Sequence, residues 1–160
     1  MGMTTSTKKR PPRILIAGLG NLLLQDDGVG VHAVRELQQD PPPGVLVAEV
    51  GTQVLAALHL LEWADRILAL DAMQAGQAPG TIYAFGVDDV AEPEIQASLH
   101  ELGLRAVLRM LPEPTQVEIA VLGVEPEVID YGLELSPPVA GALPRLTAAA
   151  REMVRRWQEK

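Results

Sequence analysis

Gly18-Leu-Gly-Asn-Leu-Leu-Leu-Gln-Asp-Asp-Gly-Val-Gly30 is a loop of glycines and carboxylates set between an aliphatic run and an amphipathic segment. The run before it, Arg13-Ile-Leu-Ile-Ala17, is apolar in the manner of a strand covered on both faces of a parallel sheet. The segment after it, about 29–39, places Val29, Ala33, Val34 and Leu37 on one helical face and is stopped by Pro41, Pro42 and Pro43. Ligands of open α/β sheets collect beyond the carboxyl ends of the strands, where helix N-termini also point. Strand, loop and helix in this order put Asp26 and Asp27 on the functional edge.

Four further apolar runs read as strands, at about 45–50, 66–71, 81–85 and 116–124. Between them, Thr52 is expected to cap a helix reaching about Glu62 with Leu55, Leu58 and Leu61 inward, and Ser98 to open another reaching about Leu111. A last helix is expected from about Pro138 to Gln158, with Ser136 and Pro137 as its start signal and a kink at Pro144. This alternation predicts an α/β fold, a three-layer α/β/α sandwich. The connection 72–80 has no helical period and is shorter than a parallel crossover needs. The fourth strand is therefore expected to be antiparallel, giving a five-stranded, mostly parallel sheet. Residues 86–97 then carry the chain back to the carboxyl edge before the helix at Ser98.

With 160 residues, 48% of them apolar, the chain suffices for one well-buried core, expected over 13–160 as a single domain. Residues 1–12 are polar, lack the apolar stretch of a secretory signal and read as a disordered tail. A net charge of −8 opposes binding to nucleic acid or anionic lipid, so neither is expected as a partner. The absence of cysteine excludes a disulfide framework, a thiolate metal site and a cysteine nucleophile, and fits a cytoplasmic protein.

Asp71 ends the third strand at the edge that carries Asp27. If strands one and three are neighbours, their end loops face each other across a switch-point crevice, and His100, near the start of the helix at Ser98, joins them. Two carboxylates and an imidazole suit a borderline divalent ion such as nickel, zinc or manganese. Without a cation, two close carboxylates share a proton as an acid/base dyad. Each residue alone has a plainer reading: Asp-Asp-Gly as an N-cap and turn, Asp71 as a turn cap, His100 as a polar contact. Convergence from three segments is what points to a site. His32 and His59 fit solvated helix faces, and Glu125 and Glu127 are placed at the border of the crevice.

From Arg13 to about Trp157 the chain resembles the hydrogenase maturation endopeptidases, which trim a C-terminal extension from the nickel-loaded large subunit of [NiFe] hydrogenases. The loop 18–30 is similar to the family's opening motif, Gly51-Thr52 to its second loop, and Leu70-Asp71-Ala72 to its strand-three aspartate. His100-Glu-Leu-Gly-Leu104 resembles the histidine segment, and Gly123-Val-Glu-Pro-Glu127 with Leu135-Ser-Pro137 the closing signature. The resemblance implies a phosphorylase/hydrolase-like fold and a nickel-dependent, aspartic-type peptidase. Its catalytic and metal-recognising residues fall on Asp27, Asp71 and His100. It further implies nickel carried by the substrate, with a divalent ion on the protein itself left open, a hydrogenase large-subunit precursor as partner, and a monomer. Two positions depart from the family pattern: Asp27 stands where some members have glutamate, and Glu49-Val50-Gly51-Thr52 where an Asp-Gly-Gly-Thr-like run is usual.

No serine lies in a Gly-x-Ser-x-Gly context and no His-Glu-x-x-His stretch occurs. Hydrolysis is left to metal polarisation of the carbonyl or to water activation by Asp27 or Asp71, and a carboxylate-assisted water attack is favoured. Three rival readings stand beside this one. A dinucleotide-binding domain fails because Leu23 occupies the third glycine position. A peptidyl-tRNA hydrolase-like enzyme shares Ile-Ala-Gly-Leu-Gly-Asn but lacks the Pro-Gly continuation, and its charge has the wrong sign for tRNA. A non-catalytic nickel or precursor-binding chaperone would use the same three residues and stays open.

Overall fold

Alternate residues of the first strand, β1 (Ile14–Leu19), enter two different cores, because successive side chains of a strand point to opposite faces. The computed structural model describes residues 10–86, 109 and 117–159. Ile14 and Ile16 pack with Val29, Val34 and Leu37 of helix α1 (Val29–Gln39), and with Leu146, Val154 and Trp157 of the long helix α3 (Pro137–Glu159). Leu15, Ala17 and Leu19 pack on the other face with Val54, just before the 3-10 turn Leu55–Ala57, with Ala57 of that turn and with Leu61 of its continuation, helix α2 (Leu58–Trp63). Two helical layers thus enclose one sheet, the sandwich expected from the alternation.

The sheet contains β2 (Val45–Gly51), β3 (Arg66–Ala72), β4 (Ile82–Gly86) and β5 (Glu118–Val124) besides β1, in the order β2-β1-β3-β5-β4. β2, β1, β3 and β5 are mutually parallel, and β4 runs antiparallel to β5 at the edge. β1 and β3 are neighbours, paired from Ile14 with Arg66 to Gly18 with Leu70, so the chain crosses over beside β1 and leaves a crevice at its carboxyl end. The short 72–80 connection is braced by Glu125. Its buried Oε1 accepts hydrogen bonds from the N–H groups of Ala75 and Gln77 and from the Tyr83 hydroxyl, each at 2.9 Å. Burial, reinforced by the Glu125 carboxylate, pushes the Tyr83 phenol up to about 12. Glu125 therefore ties a loop together where the sequence reading set it at the crevice border.

One helix differs from expectation: the second starts later than Thr52, with no side-chain cap, after a 3-10 turn at Leu55–Ala57. The last runs from Pro137 to Glu159, with Pro144 inside it, within a residue of the expected bounds. Its anchor at the start is Ser136, whose C=O accepts the Ala140 N–H at 2.8 Å. The helix expected from Ser98, and the return segment before it, lie outside the described residues apart from Gly86 and Arg109. Residues 1–9 do so too. Arg10, placed in the tail by the sequence reading, forms a two-pronged ion pair with Asp65 (2.6 and 3.1 Å), and this guanidinium holds the Asp65 carboxyl well below the usual range. Among the described residues, no helix is long and apolar enough to cross a membrane.

Gly30 fixes how closely α1 sits on the sheet. A methyl added there would lie 2.0 Å from the Leu70 carbonyl oxygen and 2.6 Å from that of Leu19, both rigid strand backbone. Gly30→Ala must therefore lift the start of α1 off the ends of β1 and β3. We expect a loss of at least about 2 kcal/mol, read as a fall in Tm of about 5 °C or more; an unchanged Tm would mean that α1 is not held there.

Candidate active site

Asp26 and Asp27 are adjacent in sequence and have separate tasks. Asp26 is fully buried, and its carboxylate accepts four hydrogen bonds from a segment about a hundred residues away. The donors are the N–H groups of Glu127 and Val128 (2.9 Å each) and both the N–H (2.8 Å) and hydroxyl (2.7 Å) of Ser136. In return the Asp26 N–H donates to the Val128 carbonyl at 3.2 Å. Burial by itself would push this carboxyl up, but the bonds from Val128, Ser136 and Glu127 outweigh it and hold the group below its ordinary value. Asp26 thus pins the first loop to the last one. Gln25, beside it, is held at φ 50°, a left-handed conformation unusual for a side-chain-bearing residue, with its N–H donating to the Gly132 carbonyl at 2.9 Å.

Asp27 turns the other way. Its Oδ2 accepts the Asn21 N–H at 2.8 Å, so the carboxylate lies against the Gly20–Asn21 step instead of capping a helix. Neither α1 nor the preceding 3-10 turn, Gln25–Gly28, has a side-chain cap, which sets aside the N-cap reading of Asp-Asp-Gly. Asp71 reaches the same step from β3. A methyl on Gly20, which has φ 113°, would stand 2.0 Å from the Asp27 carbonyl oxygen and 3.4 Å from Asp71 Oδ1. A side chain at position 20 would fill the space between the two aspartates. Asp71 is 1% exposed, and its Oδ1 accepts the Ala72 N–H at 2.8 Å. Asp71 is therefore a buried carboxylate at the end of β3.

A cleft of about 360 Å³ opens beside this step, lined by Gly20, Asn21, Leu22, Val31 and residues 49–53. The Gly20 N–H donates to the Gly51 carbonyl at 3.1 Å and ties its two walls together. Among the described residues no three His, Asp or Glu side chains cluster as a metal site. Asp27 and Asp71 are brought to one backbone step, and His100 lies outside the described residues. His59 is exposed as expected. His32 is not simply solvated: its Nε2 is buried without a hydrogen-bond partner, and burial, aided by Arg35, lowers its pKa. Sequence reasoning missed the Asp26 clamp, whose signal was an Asp doublet in the first loop matched by a serine, Ser136, just before the last helix. It also missed Asn21, whose backbone N–H left no trace in residue type.

An α/β sandwich with two acidic groups at its switch point defines a hydrolase-like architecture, and comparison with known proteins narrows it. The family described as hydrogenase maturation protease (HycI) matches residues 31–153. The hydrogenase expression/formation protein HupD of Rhodobacter capsulatus is 34% identical over 155 residues, covering 92% of this chain and 74% of that protein. HoxM of Cupriavidus necator, also described as a hydrogenase expression/formation protein, is 31% identical over 90% of this chain and 75% of its own. Among solved structures, the hydrogenase maturating endopeptidase HybD from E. coli superposes with a TM-score of 0.78 at 28% identity, covering 90% of this chain and 93% of that one. The [NiFe] hydrogenase maturation protease HybD from Thermococcus kodakarensis gives 0.76 at 30% identity, over 88% and 98%. The chain belongs to the hydrogenase maturation protease family and is a peptidase.

The Asp26 clamp makes a prediction with a definite sign. Its folded pKa lies below the unfolded one, so its contribution is complete above the ordinary carboxylate range and is lost as pH falls through that range toward the depressed folded value. Asp26→Ala strands four donors and should cost about 2–4 kcal/mol at pH 7. The deficit against wild type should shrink as thermal melts are taken below about pH 4. A pH-independent difference would show that the charge of Asp26 plays no part.

Proposed function

We propose that this peptidase removes the C-terminal extension of a [NiFe] hydrogenase large-subunit precursor, with the nickel on that substrate as the signal for cutting. Asp27, Asp71 and His100 read the nickel and serve the chemistry. The observation that carries this reading is the approach of Asp27 and Asp71 to one backbone step, Gly20–Asn21, beside a cleft of about 360 Å³. A divalent cation reached by both carboxylates would be held by each, since a neighbouring positive charge favours the ionised form. A precursor without nickel offers no such relief and engages weakly. His100 supplies the nitrogen donor that a borderline ion such as nickel favours beside oxygen.

In the hydrolytic step, water adds to the scissile carbonyl carbon while one of the two carboxylates takes its proton. That proton passes to the departing amine nitrogen as the C–N bond breaks, leaving a new carboxyl terminus and a free amino terminus. The exposed Thr52 and Gln53, on the far wall of the cleft, are placed to hold the extended segment in register. Residues 13–160 act as one domain, and the protein works in the cytoplasm as a monomer with no nucleic-acid or membrane partner.

Asp27→Asn, Asp71→Asn and His100→Ala should each lower trimming of nickel-loaded precursor by about a hundredfold or more. Asn keeps the shape and one acceptor at either aspartate, so Tm should move by no more than about 3 °C. Mass spectrometry of loaded and nickel-free precursor after incubation checks the reading. A shortened product from the loaded form alone is expected. Tight binding without product would favour the chaperone, and equal cutting of both forms would remove nickel as the signal.

A further inference from the structure

Beside Asp27 the surface turns apolar. Leu23 is 60% exposed, Tyr131 85%, Leu133 63% and Ile129 42%, all on two segments that lie against each other. These segments are not loose. Leu24 bridges Gly132, the Gly132 N–H donates to the Leu23 carbonyl at 2.9 Å, and the four bonds to Asp26 fasten the same pair of loops. Rigidly held apolar side chains in water mark a surface that another molecule covers. The rim is acidic, with Glu127, Asp130 and Glu134 all exposed. Neither 18–34 nor 123–144, the stretches that build this face, contains a lysine or arginine.

We infer that Leu23, Ile129, Tyr131 and Leu133 form the docking surface for the body of the precursor, which meets it with an apolar centre and a rim of lysine and arginine. This inference rests on the proposed function and names the partner face of that site. Two arguments fix the occupant. Leu23 and Asp27 belong to one short loop pinned by Asp26, so a protein seated on the patch delivers its chain end directly to the cleft. A second copy of this chain would instead bring acidic rim against acidic rim, which like-charge repulsion opposes. Rigid presentation also lowers the ordering cost of association, since the loops are already fixed before the partner arrives.

The test measures kcat and KM on nickel-loaded precursor for wild type and for three variants that touch neither carboxylate of the site: Tyr131→Ser/Leu133→Ser, Leu23→Ser and Glu134→Lys. Each should raise KM, the double variant by about tenfold or more, with kcat at saturating precursor within about twofold of wild type. Wild-type KM should also rise with added salt, because a charged rim steers association. Binding of precursor to the Asp71→Asn protein, followed by biolayer interferometry, reports docking without cleavage and should weaken in the same order when the three changes are added. Glu134→Lys changes one exposed side chain and keeps the test valid if an apolar variant melts early. Wild-type KM in both the double variant and Glu134→Lys would overturn the docking surface while leaving the peptidase reading intact. A wild-type dimer dissolved by Tyr131→Ser/Leu133→Ser would overturn it in favour of self-association. Binding through the patch with no cleavage by wild type would keep the surface and discard the proposed reaction. A wild type that neither binds nor cuts the loaded precursor would discard both.

Discussion

One buried carboxylate, Asp26, holds the working end of this protein together. Four donors converge on it from Glu127, Val128 and Ser136, joining the first loop to the last. A charge fully removed from water is stable only when its lone pairs are filled, so the two loops are obliged to stay in register. The left-handed Gln25, the strand-like contact of Leu24 with Gly132 and the start of α3 just past Ser136 all follow from that obligation.

The clamp frees its neighbour. Because Asp26 satisfies the loop's structural demand, the Asp27 carboxylate is left to accept the Asn21 N–H, and Gly20 leaves room for Asp71 to approach from β3. Adjacent acidic residues with opposite orientations thereby divide scaffold from chemistry. Gly30 does related work one turn later: by letting α1 touch the carbonyls of Leu19 and Leu70, it brings the helix start down onto the same strand ends.

The sheet was legible because its evidence is local. Aliphatic runs of strand length, an amphipathic segment after the first loop and a connection too short for a parallel crossover led to the observed layers, the antiparallel β4 and the pairing of β1 with β3. The start of α2 was misplaced because Thr52 resembles a cap, yet 49–53 are engaged in forming the cleft wall. The bracing role of Glu125 was out of reach of the sequence, because the three donors that occupy it come from a loop and a tyrosine that no spacing rule connects to it.

Taken alone, the sequence determined the three layers, the acidic residues at the carboxyl edge of β1 and β3 and, through five motifs in order, the family. Periodicity, turn chemistry and residue type are properties of short stretches, and these features need nothing more. The tertiary structure decided which aspartate of the doublet is scaffold and which lies against the Gly20–Asn21 step, that Asp71 is buried, and that four apolar side chains stand exposed in one rigid patch. Those outcomes depend on partners a hundred residues distant, and a hydrogen bond between such groups exists only once the chain has folded.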